Sequence, residues 1–284
     1  MEQSTEQQRR IFSVLAQAVR GGIAGMGGAA INVVGLMWVQ TIMNYQYRYG
    51  GGFVHTGKHL YAEGGVARFY RGFGPAIFLA PLSRFGDVAA NELALTALKD
   101  SSLPVALQTA TGSILAASGR LIIMPIDAWK TIMQVEGPNG LRILAAKFKT
   151  HPFAPWHGGM GAMMATWVGH YPWFMTNNYL RANVPDFQIY SGKHLRFACI
   201  GFLSSAVSDT CSNSLRILKT VRQTSRMQMS YPQAASEIIA KDGYTGLFLR
   251  GLKTRILAKG MQGALCTSGW ASVRYTSLCL PSHL

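Results

Sequence analysis

A ten-residue pattern returns three times at intervals of about ninety residues, and this interval restricts the chain to a fold built from like units. The stretches are Gly35-Leu36-Met37-Trp38-Val39-Gln40-Thr41-Ile42-Met43-Asn44, Pro125-Ile126-Asp127-Ala128-Trp129-Lys130-Thr131-Ile132-Met133-Gln134 and Ser214-Leu215-Arg216-Ile217-Leu218-Lys219-Thr220-Val221-Arg222-Gln223. Pro125 stands 90 residues after Gly35, and Ser214 stands 89 after Pro125. Thr41, Thr131 and Thr220 coincide, and the last position holds Asn44, Gln134 or Gln223. Each stretch is followed by a glycine, in Phe69-Tyr70-Arg71-Gly72, Trp156-His157-Gly158 and Phe248-Leu249-Arg250-Gly251, at separations of 86 and 93. Self-similarity at such a period marks units that cannot bury an apolar face alone and must pack on their neighbours.

Hydropathy gives each unit two long helices. Between Gly21 and Tyr47 no residue is charged, a run of 27 against the ~20 that cross a bilayer. Within it Gly21, Gly25 and Ala29 recur every four residues as a small-residue face. Further apolar segments run from Phe73 toward Leu98, over about 103–134, from Thr150 to Leu180, from about Leu195 to Gln223, and on to about Leu278. The spacing predicts short amphipathic helices near 53–63, 139–149 and 232–241. Pro125 is expected to bend or break the third long helix, with Asp127 and Lys130 on one face just beyond it. Taken alone, that decapeptide suits a soluble helix with a proline start and a surface ion pair equally well. Three copies favour an all-α membrane protein of six transmembrane helices.

The composition agrees. Hydrophobic residues make up 49% and charged residues 14%, where a soluble domain has about 25% charged. The net charge is +15. The basic residues are scattered, without a nucleic-acid-binding motif, so anionic lipid is the expected partner and nucleic acid is not. Cys199, Cys211, Cys266 and Cys279 lack metal-ligand spacing, lie in apolar stretches and read as buried reduced thiols. Glu2 and Glu6 argue against a cleaved transit peptide. No phosphate-binding loop, dinucleotide fingerprint or metalloprotease motif occurs, so no enzyme, cofactor or metal is expected.

Together these motifs resemble the mitochondrial carrier family over roughly residues 15–278. That family carries Pro-x-acid-x-x-base on each odd helix, then acid-Gly and aromatic-base-Gly before each even helix. Pro125, Asp127, Lys130 and Gln134 match in the second unit; Asp242, Gly243, Phe248, Arg250 and Gly251 in the third; Glu63, Gly64, Tyr70, Arg71 and Gly72 in the first. The acid-to-glycine spacing is one residue longer than the family's in the first and third units. The resemblance implies one carrier domain over 1–284, with units at about 11–100, 101–190 and 191–284. It implies six tilted helices in pseudo-threefold symmetry, three matrix-side surface helices, and a multi-pass place in the mitochondrial inner membrane. A central cavity would open to either side in turn as one ring of ion pairs breaks and the other forms.

The departures from the family pattern are specific. The first unit has Met37 and Gln40 at the matrix-side ring positions, and the third has Arg216 in place of an acid, with Lys219 as base. Asp127 with Lys219 is the one expected ion pair, braced by Gln134 or Gln223. Lys130 faces Met37 without an acid, and Arg216 meets Gln40. On the intermembrane side the expected contacts are Glu92 with Arg181, and Asn178 with Arg274; counting from Pro81 would place Asn91 in Glu92's position. For substrate, the resemblance implies contacts at the positions that helix register gives to Lys259, to Ala165 and Thr166, and to Phe78 or Leu79 on the second helix. Arg84, Asp87, Arg120, His170 and Asp209 are further polar groups in apolar spans. Arg84 with Asp87 reads as a local ion pair or a ligand site, and His170 as a packing residue or a ligand. Cardiolipin is expected at the N-termini of the short helices, on backbone donors near Gly72, Gly158 and Gly251. The implied function is transport of a small, anionic metabolite. The alternative is a carrier fold that has lost transport and serves as a subunit or lipid-bound scaffold of a membrane complex.

Overall fold

The structure is a computed structural model that describes residues 32–97, 105–150, 152–153, 156, 159–185, 192–227 and 229–263. Helices dominate these residues: α1 over 32–49, α2 Phe53–Phe69, α3 Phe73–Ala97, α4 Val105–Glu136, α5 Gly140–Thr150, α6 Gly159–Asn183, α7 Gly192–Thr224, α8 Tyr231–Leu249 and α9 over 252–263. Gly21, Gly25, Ala29, Gly158, Cys266, Arg274 and Cys279 lie outside the described residues, as do the side chains of Arg84, Asp87 and Glu92 on α3.

The long, short, long order recurs, and local chemistry explains where the short helices stop. α2 breaks at Gly64 and Gly65, the latter at φ +60°, and α8 breaks at Gly243, at φ +68°. These left-handed residues confine the regular helix to the stretches that amphipathic spacing predicts. α8 begins with a capping box: the Ser230 hydroxyl accepts from Gln233 N, the Gln233 side chain accepts from Ser230 N, and Pro232 occupies the first turn. Of the bend or break expected at Pro125, the break does not occur, and α4 runs through it from Val105 to Glu136. A proline leaves the carbonyl four residues earlier without its helical donor. Here that carbonyl, Leu121 O, accepts from the Trp156 indole N–H at 2.9 Å. Tyr70, which holds Trp156's place in the first unit, donates its hydroxyl to Val34 O at 3.0 Å.

Successive long helices pack side by side, α3 along α4 and α6 along α7, and α4 also contacts α6 and α7. Tyr47, Ile217, Val221, Ala234 and Ile238 form one buried apolar cluster, joining α1, α7 and α8. Elsewhere polarity is inverted. On α7 the buried face carries Ser204, Ser208 and Ser212, while Cys199, Leu203, Val207 and Cys211 form an exposed stripe at the same four-residue spacing. Met160, Met164, Val168, Tyr171 and Met175 form another on α6, whose buried side holds Thr166 and Asn177. The cysteine expectation is therefore corrected at Cys199 and Cys211, which are free thiols exposed on the outer stripe.

Among the described residues no helix is long and apolar enough to cross a membrane. The all-α architecture agrees with the sequence; six apolar spans do not emerge from it. Length is not what falls short: α4 has 32 residues and α7 has 33, or nearly 50 Å at ~1.5 Å per residue. The shortfall lies in the polar face, which on α7 includes Asp209, Arg216 and Lys219.

Gly72 and Gly251 both adopt left-handed backbone, at φ +86° and +64°, where α3 and α9 begin. A Cβ on Gly251 would lie 2.8 Å from the buried Tyr47 ring. Gly251→Ala is expected to destabilise by the roughly 1–2 kcal/mol of left-handed strain plus the cost of that clash. Gly74→Ala, inside α3 with open space around it, is expected to be neutral or stabilising by about 0.5–1 kcal/mol. Thermal unfolding of the two variants in detergent checks the contrast.

Candidate functional site

The repeated decapeptides bring α1, α4 and α7 together through polar side chains. Lys219 Nζ lies 2.5 Å from Asp127 Oδ2, with both side chains about one-fifth exposed. Gln223 donates to the same carboxylate oxygen at 3.4 Å. Gln134 has another role: its Oε1 accepts from Asn44 at 2.6 Å, linking α4 to α1. Two expectations are corrected here. Lys130 does not face Met37 but donates to Gln40 Oε1 at 3.1 Å, an amide and not an acid. Gln40 is one helical turn beyond Met37 and offers an acceptor, whereas Met37 is fully buried. Arg216 turns not to Gln40 but along its own helix, where Nε donates to Ser212 Oγ at 3.3 Å and Nη2 lies 3.9 Å from Asp209.

Asp209 anchors a second charged group. Its Oδ1 is 2.8 Å from Arg255 Nε on α9, and the carboxylate is almost fully buried. Sequence reasoning noted Asp209 only as a polar residue in an apolar span and missed Arg255. The available signal was register: Arg255 and Lys259 lie four apart, which puts both on one face of α9. Lys259 is half-buried one turn beyond Arg255.

The other substrate candidates are packed. Ala165 and Thr166 are both buried, and the Thr166 hydroxyl donates to Ala162 O at 3.0 Å within α6. His170 stacks edge-on to Phe174, with ring centroids 6.1 Å apart. Leu79 is buried and Phe78 points outward. Of the intermembrane-side set, Asn178 and Arg181 are exposed, and the Arg181 guanidinium lies 5.4 Å from the Phe197 ring centroid. Their expected partners Glu92 and Arg274 lie outside what is described.

At the opposite ends of the odd helices, a base from the short-helix region of one unit grips the helix end of another. Arg68 donates to Gln134 O and Val135 O at 2.8 Å each, and its Nε pairs with Glu63 at 2.7 Å. Lys147 donates to Gln223 O at 2.5 Å. Arg250 donates to Arg48 O at 3.3 Å and pairs with Asp242 at 2.7 Å. A cation suits these sites because carbonyls at a helix C-terminus are unpaired and carry partial negative charge. In the first unit the acid pairs with Arg68, and with His59 at 3.1 Å, not with the motif's exposed Arg71; Arg68, beyond the Gly64–Gly65 break, also reaches the end of α4. Gly72 and Gly251 open α3 and α9 rather than the short helices, which corrects the sequence assignment of those N-termini.

Lys147 makes its grip pH-dependent. Burial pushes its ammonium down to about 8, with help from the charge on Arg48 and against the pull of Glu136. Between about 8 and the usual 10.5 the unfolded chain holds more protons than the folded one, so stability rises with pH across that window. Below it, the cost of burying the charge is present in full. Lys147→Met is expected to flatten that rise, as measured by denaturation midpoints taken from neutral pH to about pH 10.

Among the described residues, charge pairs join neighbouring helices and apolar stripes lie on exposed faces of α6 and α7. Residues 11–102 match the family model for the mitochondrial carrier protein. The matched stretch is the first of the three units, the one whose decapeptide has lost its charges. The family points to a carrier-type solute transporter of mitochondria. No curated protein matches the chain.

Proposed function

We infer that the chain is a solute carrier of the mitochondrial inner membrane and moves a small metabolite by alternating access. The observation that carries this reading is the inverted polarity of the long helices. Contiguous apolar stripes on an outer surface need a non-aqueous partner, and the four-residue stripes on α6 and α7 are continuous enough to face lipid. The buried serines, Thr166, Asn177 and Asp209 then face the interior, where intramembrane polar groups find partners or line a path. In this reading Asp127 with Lys219, braced by Gln223, is the matrix-side gate, and beside it Lys130 donates to the uncharged Gln40.

Cardiolipin fits the same reading. The turns at Gly72 and Gly251 lead into the N-termini of α3 and α9, whose positive dipole ends suit a phosphate. Native mass spectrometry after gentle extraction is expected to retain an anionic lipid; loss of every such lipid would remove this part.

The scaffold reading draws on one observation: the first unit supplies Met37 and Gln40 where a full ring would have charges. Purified full-length protein in cardiolipin-containing liposomes separates the two. Exchange of at least one solute from a panel of carboxylates, nucleotides, amino acids and phosphate supports transport. No flux across the panel, with stable association in a larger membrane complex, supports the scaffold.

A further inference from the structure

Among the described residues, the buried charges at Asp209 do not balance. Arg255 on α9 and Arg216 on α7 share one carboxylate oxygen, Asp209 Oδ1, at 2.8 and 3.9 Å. The longer distance is beyond hydrogen-bond reach, so Arg216 is drawn to the carboxylate without being bound by it. Its Nε donates only weakly, to Ser212 Oγ at 3.3 Å. Exposure grades outward: the Asp209 side chain is 6% exposed, Arg255 14% and Arg216 25%. The accessible member is therefore the guanidinium that the acid does not hold. Asp209 Oδ2 is buried and has no hydrogen-bond partner among the described residues. Lys259 is one turn along α9 from Arg255.

Two guanidinium forks beside an open carboxylate oxygen present both donors and an acceptor. Guanidinium forks match the planar oxygens of a carboxylate or phosphate, and such bonds are among the stronger ones in proteins. A buried acceptor left open costs free energy until a donor reaches it. We propose that Arg216, Arg255 and Asp209 form a binding site for a small oxyanion that carries an N–H or O–H donor next to its anionic group, as a hydroxy acid, an amino acid or hydrogen phosphate does. Arg216 and Arg255 take the oxyanion, and Asp209 Oδ2 takes the neighbouring donor. The site rests on the transport reading, for which it names the solute class. It differs from the candidates chosen by helix register, of which Ala165 and Thr166 are packed away.

The test uses the full chain, purified in detergent, and follows the thermal unfolding midpoint against malate, aspartate and inorganic phosphate. Succinate, which lacks the neighbouring donor, and sodium chloride at matched ionic strength serve as comparators. A midpoint rise with malate, aspartate or phosphate that exceeds both comparators supports the site. Arg216→Gln is then expected to weaken the responsive ligand about tenfold or more, the loss of a charge-assisted hydrogen bond. Arg216→Lys is expected to lie between, since it keeps the charge without the fork. Equal rises with all additives, or unchanged affinity in Arg216→Gln, would overturn the proposal; if both variants fail to fold, the wild-type comparison alone decides. Flux in liposomes separates the two readings. Transport without selective binding removes this site and leaves the carrier, whereas selective binding without transport removes the carrier and leaves the site.

Discussion

Asp127→Asn destabilises the protein more than the double variant Asp127→Asn with Lys219→Gln. In the single variant the Lys219 ammonium loses the carboxylate 2.5 Å away and keeps its charge in a partly dehydrated place, with Lys130 one turn from Asp127 on α4. Truncating one partner of a fully buried pair costs roughly 3–5 kcal/mol, while replacing both can be neutral. These side chains are 22% and 20% exposed, so the single loss falls below that range and the ordering of the two variants is the firmer expectation. If the pair also gates transport, the single change alters the exchange rate and the double change partly restores it. Equal midpoints for the two variants in thermal unfolding would show that the pair carries no coupling.

Arg68→Ala is the second large effect. Arg68 is only 3% exposed and makes three contacts at once, to Glu63 and to the carbonyls of Gln134 and Val135. Removing it leaves the end of α4 without its cation and opens a space beside Gly137, whose left-handed turn abuts the guanidinium. Each hydrogen bond to a charged group contributes about 1.5–3 kcal/mol, and two carbonyls lose theirs together. A loss of roughly 3 kcal/mol or more in denaturant unfolding is the expected result. Arg71→Ala, at the exposed motif arginine, is expected within about 0.5 kcal/mol of the parent, as for an ordinary surface change.

How far the sequence could be read follows from which signals are local. The short helices, the glycine turns and the Asp127–Lys219 contact were legible because each rests on spacing along the chain: amphipathic period, acid-to-glycine distance, and repeat register. Side-chain choice between near-equal partners was not. Register gives Cα positions, but whether Lys130 turns to Met37 or Gln40 depends on which neighbour has an acceptor within a flexible arm's reach. The same holds for Arg68 against Arg71, where the end of α4 decides, and for Gln134, which Asn44 claims before the ion pair can. Arg255 was hidden because only the fold brings α9 against Asp209 on α7. The cysteines were misread because an apolar stripe at four-residue spacing looks the same whether it faces a core or a lipid.

The three grips at the helix ends have an order. Arg68 of the first unit holds α4 of the second, Lys147 of the second holds α7 of the third, and Arg250 of the third holds α1 of the first. An open stack of repeats has two end units, and shortening it leaves the remaining interfaces as they were. This chain returns to its start, so it has no end unit to spare. Removing any one unit orphans a helix terminus on one side and a buried cation on the other. Duplication could lengthen an open stack one repeat at a time, but an added helix pair here would have to displace the contact of Arg250 with Arg48 O.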